Sequence, residues 1–469
     1  MTKSRKKIVY DSQGHQYELT GSIGEGGQGM VCSTDRPGTL VKIINTKDKA
    51  KIDKAIKQIE WIAQQNISDL NMALPKIAIT RPKHGYVMEL MDGLISLQGV
   101  LDGSFNDFQD NDSLEQYLHT GGVARRTKLL LEIATTLSEL HSRGYAYGDL
   151  SPANIFVSES IADSQVWFID CDNICFNERE GVTHLYTPGY GAPEVVRNEQ
   201  NVNCLTDAWS FAVIAFELLT HQRPFNGLQV EDGEPEIAEQ QAFEGEFPWV
   251  YDSQDDSNES TGGIPLEVVS NSNMALLFKQ CFEDGKNNPL LRPSLSQRRT
   301  VLQQAIDQTL DCQHQHCRHQ FFYQESNNIQ VCSFCDEQAA PDRFIVFEQV
   351  LVEKEDSKTQ FHPLKNIRVL NEGGNISFNS APYGTEMWKE AVTLLSIEWR
   401  DDKLHLQPTN NATVLIHKGD SDLEFIREKR IPLSNSTPQS PYYFSAWQPS
   451  VIEDNAHLQL VQSYRWRFV

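Results

Sequence analysis

An ammonium group, two carboxylates and a carboxamide stand in this chain at Lys42, Asp149, Asp170 and Asn154, each inside a segment that restricts what it can do. Lys42 follows a glycine loop, GEGGQGMV, running from Gly24 to Val31. Backbone amides of a glycine turn approach phosphate oxygens closely because no side chain intervenes, and a lysine adds a point charge to the same phosphates. Asp149 and Asn154 lie five positions apart in YGDLSPAN, and Asp170 lies in FIDCD. With Glu60 and the GAPE segment that ends at Glu194, these pieces in this order point to phosphoryl transfer from ATP.

The glycine loop alone also fits a dinucleotide fingerprint, so its neighbours decide. In that alternative the third glycine opens a helix. Here MVCST follows, then the turn DRPGT, then the apolar run Leu40 to Ile44, which is a hairpin of strands with Lys42 on the second. From Ile52 the apolar residues Ile52, Ala55, Ile56, Ile59, Ile62, Ala63 and Ile67 recur at helical spacing. Glu60 sits beside that stripe and is the expected carboxylate partner of Lys42.

Taken in order, these pieces resemble the protein kinase family over about residues 15 to 310. The resemblance implies a bilobal α+β fold that uses ATP and Mg2+. It assigns catalysis to Asp149, Lys42 and Glu60, and ATP binding to Gly24, Gly26, Gly27, Gly29, Val31, Lys42, Glu89 and Met91. Asn154 and Asp170 are the implied Mg2+ ligands, while Asp172 replaces the glycine that usually ends the second motif and is left unassigned between metal and solvent. Three later matches concern a peptide platform and its supports: Thr187 and Glu194 in TPGYGAPE, Asp207 in TDAWSF, and Arg292 in RPS. Small-molecule phosphotransferases share the GDLxPxN loop but generally lack these, so a protein kinase leads, with a small-molecule kinase and a nucleotide-binding pseudokinase scaffold as the alternatives. Tyr147 and Gly148 stand where histidine and arginine usually precede the catalytic aspartate, so phosphate on Thr183 or Tyr186 would find no arginine there. Ser151 replaces a usual lysine, but Thr187 points to serine and threonine as acceptors.

At 469 residues the chain has room for two or three domains. We expect an N-terminal tail over 1–15 and a kinase domain over 16–310, with an N-lobe at 16–90 and a C-lobe at 91–310. Two polar insertions, 102–112 and the acidic 227–263, interrupt the kinase region, and the second reads as a solvated loop. A formal charge of -23 disfavours nucleic acid, and the absence of a long apolar run or signal-peptide core points to a cytoplasmic protein without a membrane segment.

Of nine cysteines, Cys312, Cys317, Cys332 and Cys335 are spaced Cx4C, fourteen residues, Cx2C, which suits a structural zinc ribbon over 311–340. His314, His316 and His319 crowd the first pair, and one of them could replace a cysteine ligand. Residues 341–469 alternate apolar and polar in about eight short segments, an all-β sandwich or barrel for recruitment or regulation. A kinase followed by a zinc ribbon resembles bacterial serine/threonine kinases of the tellurite-resistance-associated type. Besides protein substrates, that resemblance implies a von Willebrand factor A domain protein and a PP2C phosphatase as partners.

Overall fold

The structure is a computed structural model that describes residues 7–26, 29–111, 113–177, 186–355, 358–380, 391–419, 421–433, 440–451, 455–456, 458–459 and 464–468. Its contacts divide the chain into two compact units. The first comprises the chain up to Gly121, Leu129–Ile264 and Leu276–Leu295; the second comprises Gly122–Lys128, Pro265–Ala275 and Ser296–Val469. The division therefore falls before the expected boundary at 310 and assigns short pieces of the C-lobe to the second unit.

In the first unit, β1 (Lys7–Asp11), β2 (Gln16–Gly26), β3 (Gly29–Thr34), β4 (Thr39–Ile44), β5 (Ile77–Arg81) and β6 (Gly85–Glu89) close into a barrel in the order β1-β2-β3-β4-β6-β5. Residues 7–11 are thus a strand rather than part of a tail, because Ile8 and Val9 pair with Glu18 and Tyr17 and Val9 enters the core. The DRPGT turn joins β3 to β4 as expected: Gly38 takes a left-handed φ of 70°, and the Thr39 amide donates to the Arg36 carbonyl. Side chains alternate along β4, so Val41 and Ile43 join one apolar cluster with Ile79 and Val87 while Leu40 joins another with Tyr86 and Met88. Lys42 is on the Leu40 face. Helix α1 (Lys49–Ile62) starts at Asp48, whose side chain accepts from the amides of Ala50 and Lys51, and buries Ile59 and Ile62.

Leu97–Asn111 forms helix α2, which takes in the first polar insertion as far as Asn111 and buries Leu97, Val100 and Leu101. The stretch 227–263 is not a free loop. It contains helices Leu228–Glu231 and Pro235–Phe243, and its later part is held by Asn258, whose fully buried amide donates to the carbonyls of Phe225 and Pro248. Helix Cys204–Thr220 runs through the core with a capping box made by Asn203 and Thr206, which leaves the Asp207 carboxylate free for other work.

The second unit carries a small hairpin, Thr309–Asp311 against Gln320–Phe322, and two antiparallel sheets. One sheet has the order Lys358–Asn371, Phe344–Glu355, Tyr464–Phe468, Tyr442–Trp447, Thr413–Lys418, Ser421–Phe425; the other has Asn375–Asn379, Thr393–Arg400, Lys403–Pro408, Lys429–Pro432. Phe347, Phe444 and Phe468 from the first sheet share one apolar cluster with Phe378, Ile397 and Leu404 from the second. Strands Asn375–Asn379 and Lys429–Pro432 were not anticipated from the alternation, being short and flanked by glycine or charge.

Candidate active site

Lys42 is 3% exposed, opposite Val31 on β3 and Tyr86 on β6, and a buried ammonium must be paired. Its Nζ lies 3.1 Å from Asp170 Oδ1 and 3.2 Å from Asp172 Oδ1. Burial works against the charge, but Asp172 and then Asp170 outweigh it, so the lysine pKa stands above its ordinary value. The expected pair with Glu60 is absent. Glu60 is exposed, lying about 100° round α1 from buried Ile59, and the helix instead presents Gln58, whose Nε2 donates to the Ile174 carbonyl at 2.6 Å.

Asp149 is buried and accepts a 2.9 Å hydrogen bond from Thr187 Oγ1. Burial raises its pKa; the Thr187 hydroxyl opposes the rise and the charges of Asp170 and Asp172 add to it. Asn154 ends the turn Pro152–Asn154, and its Nδ2 donates to the Asp149 carbonyl at 2.8 Å, which leaves the amide oxygen as a ligand atom. Asp170 adopts a left-handed φ of 55° ahead of the turn Cys171–Asn173. The oxygens of Asn154 and Asp170 are hard donors of the kind Mg2+ accepts, so these residues fit that ion.

Asp207 Oδ2 accepts from the Tyr147 amide at 2.7 Å and Asp207 Oδ1 from the Gly148 amide at 3.0 Å, while His141 Nε2 lies 3.0 Å from Oδ2. Tyr147 also donates its hydroxyl to the Ile169 carbonyl. Arg292 grips Glu194 through two parallel contacts of 2.7 and 2.8 Å and gives its Nε to the Gly285 carbonyl at 2.8 Å. These residues are neither surface caps nor solvated charges: Glu194, Asp207 and Arg292 are all buried.

Of the expected ATP-binding residues, Gly29 has the most constrained position, since a Cβ there would lie 2.3 Å from the Ile43 carbonyl oxygen. Gly26 pairs with Gly29 and Gly24 with Val31 across the β2–β3 hairpin, and Val31 packs on the cluster that includes Leu40. Gly27 and Thr183 lie outside the described residues. Glu89 closes β6, exposed and 2.7 Å from Lys76 Nζ, and Met91 follows, half-buried.

In the second unit the Sγ atoms of Cys312, Cys317, Cys332 and Cys335 lie within 4.8 Å of one another. Cys312 and Cys335 are 3.5 Å apart and Cys317 and Cys332 3.8 Å. A disulfide needs about 2.05 Å, whereas four sulfurs about 2.3 Å from one tetrahedral ion stand about 3.8 Å apart. The donor set therefore fits Zn2+. Among the described residues the cluster consists of cysteines alone; His319 instead stacks on Phe334 with ring centroids 4.1 Å apart, and His314 and His316 are edge to face.

Residues 17–304 match the protein kinase domain. The chain belongs to that family. Curated relatives include the serine/threonine-protein kinase PknG of Mycobacterium leprae, 30% identical over 231 residues that make up 47% of this chain and 28% of that protein. Calcium-dependent protein kinase 5 of Plasmodium falciparum is 28% identical over 212 residues, 44% of this chain and 34% of its own length. The serine/threonine-protein kinase chk-2 of Caenorhabditis elegans is 26% identical over 234 residues, 46% of this chain and 47% of its own. The chain thus spans less than half the length of each of these kinases. Among the described residues, no helix is long and apolar enough to cross a membrane.

Sequence reasoning missed the place of Asp172 at Lys42 and the anchoring role of Gln58. A signal for the first was present, since FIDCD offers a second carboxylate two residues after Asp170.

Proposed function

We propose that this protein transfers the γ-phosphoryl group of ATP, with Mg2+, to serine or threonine hydroxyls of protein substrates. The observation that supports this most is the 2.9 Å hydrogen bond from Thr187 to Asp149, because Thr187 opens the TPGYGAPE segment on which a peptide acceptor would rest. The buried Glu194–Arg292 pair at the end of that segment favours a protein over a small-molecule acceptor. In this reading Asp149 takes up the hydroxyl proton, Lys42 orients the phosphates, and Asn154 and Asp170 hold Mg2+, which would offset phosphate charge. Glycines 24, 26, 27 and 29 would cover the nucleotide phosphates, with Glu89 and Met91 at its base.

The reading extends to the rest of the chain. Zn2+ held by Cys312, Cys317, Cys332 and Cys335 would be structural, and the β-rich residues 341–469 would recruit or regulate. A cytoplasmic location accords with nine cysteines of which none forms a disulfide, and with a supply of ATP. The likeness to tellurite-resistance-associated kinases suggests a von Willebrand factor A domain protein and a PP2C phosphatase as partners. To test the core claim, the full chain is incubated with labelled ATP, Mg2+ and a generic basic protein. Transfer to protein that Asp149→Asn abolishes is expected; transfer undiminished by Asp149→Asn would refute the assignment.

A further inference from the structure

A lysine that orients phosphates is useful only if something fixes its ammonium, and the neighbourhood of Lys42 offers few candidates. Helix α1 carries two carboxylates, Asp53 and Glu60, and both are exposed. Turning Glu60 inward requires rotating the helix by about 100°. That motion carries Ile59 and Ile62 away from the core, and each is now 1% exposed. It would also break the Gln58 bond to the Ile174 carbonyl. Across the cleft, Asp172 puts both carboxylate oxygens within hydrogen-bond reach of Nζ, at 3.2 and 3.3 Å. Its backbone is fixed by the turn Cys171–Asn173, whose first residue is fully buried with its thiol 3.5 Å from the Phe168 carbonyl.

We propose that Asp172, standing where kinases usually have glycine, is the positioning residue for Lys42 in place of a helix glutamate, so that the lysine is anchored by the metal-binding segment itself. This rests on Lys42 being the phosphate-orienting lysine. It has a structural consequence: displacement of α1 does not release Lys42, because the anchor is not on the helix.

The test uses the full chain, first without metal or nucleotide. A water-soluble amine-acylating reagent is applied, and modification of Lys42 is followed by peptide mass spectrometry. Asp172→Asn, isosteric and checked for an unchanged thermal transition, is expected to speed labelling of Lys42 about tenfold, because the ammonium loses the carboxylate that bonds it through both oxygens. Glu60→Ala, at an exposed position away from the ammonium, should leave it within about twofold. In turnover, Asp172→Asn should lower kcat about a hundredfold through misplacement of the lysine, with the Mg2+ concentration for half-maximal rate unchanged and with substantial recovery in Asp172→Glu. Unchanged labelling in Asp172→Asn, or faster labelling in Glu60→Ala, would overturn the proposal. So would a raised Mg2+ requirement with normal labelling, which would make Asp172 a metal ligand. The labelling needs no turnover, so its outcome is independent of whether the kinase reading itself holds.

Discussion

Replacing Asp207 by alanine removes the acceptor of two backbone amides, the buried one of Tyr147 and the part-buried one of Gly148, immediately before Asp149. Hydrogen bonds to a charged acceptor contribute about 1.5–3 kcal/mol each, so the pair is worth about 3–6 kcal/mol locally, and water entering the vacated space should hold the loss near 3 kcal/mol. Because the chain divides into two units, a single melting temperature would blur this; hydrogen exchange at the two amides reads it directly. A local loss of about 3 kcal/mol corresponds to about a hundredfold faster exchange at Tyr147 and Gly148. Catalysis should fall in parallel, since a shift of about 1 Å in Asp149 costs about a hundredfold in rate. Asp207→Asn retains one acceptor oxygen but turns an NH2 group toward the other amide, so exchange should rise at one of the two sites more than at the other. Protection of both amides within about threefold of wild type in Asp207→Ala, below about 0.7 kcal/mol, would refute the reasoning.

Freshly purified protein should contain one zinc per chain, and its removal should unfold the region around Cys312 to Cys335, since structural zinc contributes about 10–16 kcal/mol of apparent binding energy at neutral pH. Elemental analysis finding no zinc, with the cysteines oxidised in pairs, would sink that expectation. Phosphatase-treated enzyme and a Thr183→Ala, Tyr186→Phe variant should keep their rate on an external substrate; a fall of about a hundredfold, about 2.7 kcal/mol in barrier, would mean that another basic residue docks an activation-loop phosphate. Asp11 accepts bonds from the Gln13 and His15 amides, His15 Nδ1 and the Tyr17 hydroxyl, which overcome its burial and lower its pKa. Its folded value is below its unfolded one, so its contribution is complete above about pH 4 and is lost as pH falls through the folded value. The stability gap between wild type and Asp11→Asn should accordingly narrow below about pH 4, and a gap that widens there would contradict the assignment.

The groups that make local patterns were readable from sequence, and those placed by a rotation or a single buried bond were not. The β3–β4 hairpin followed from DRPGT and the run Leu40 to Ile44, and it put Lys42 on the correct strand. For Glu60 the same periodicity argument lacked angular precision: a residue beside an apolar stripe can flank it on either side, and here Gln58 took the side that meets Ile174. In 227–263 the charge density suggested solvation, yet one side chain, Asn258, satisfies two main-chain carbonyls and folds the stretch down. Composition averages over such a residue. Asp207 stood out because TDAWSF resembles a family pattern, and in the structure the helix is capped by Asn203 while Asp207 bonds the amides before Asp149.

The departures at 147 and 148 make physical sense together. Gly148 has a φ of 92°, and a Cβ there would lie 3.2 Å from the Asn173 carbonyl oxygen, so an arginine would be strained at this position whatever its charge could do. Tyr147, its neighbour, bonds the Ile169 carbonyl and so ties the catalytic loop to the strand end that leads into Asp170. With Asp207 holding both amides from the other side, the loop is fixed by one buried carboxylate and one phenol. Each of these contacts is made between the chain's own donors and acceptors. In a chain built this way, an arginine at 148 would add strain at a place where order is already supplied, and control over activity would have to act on some other element.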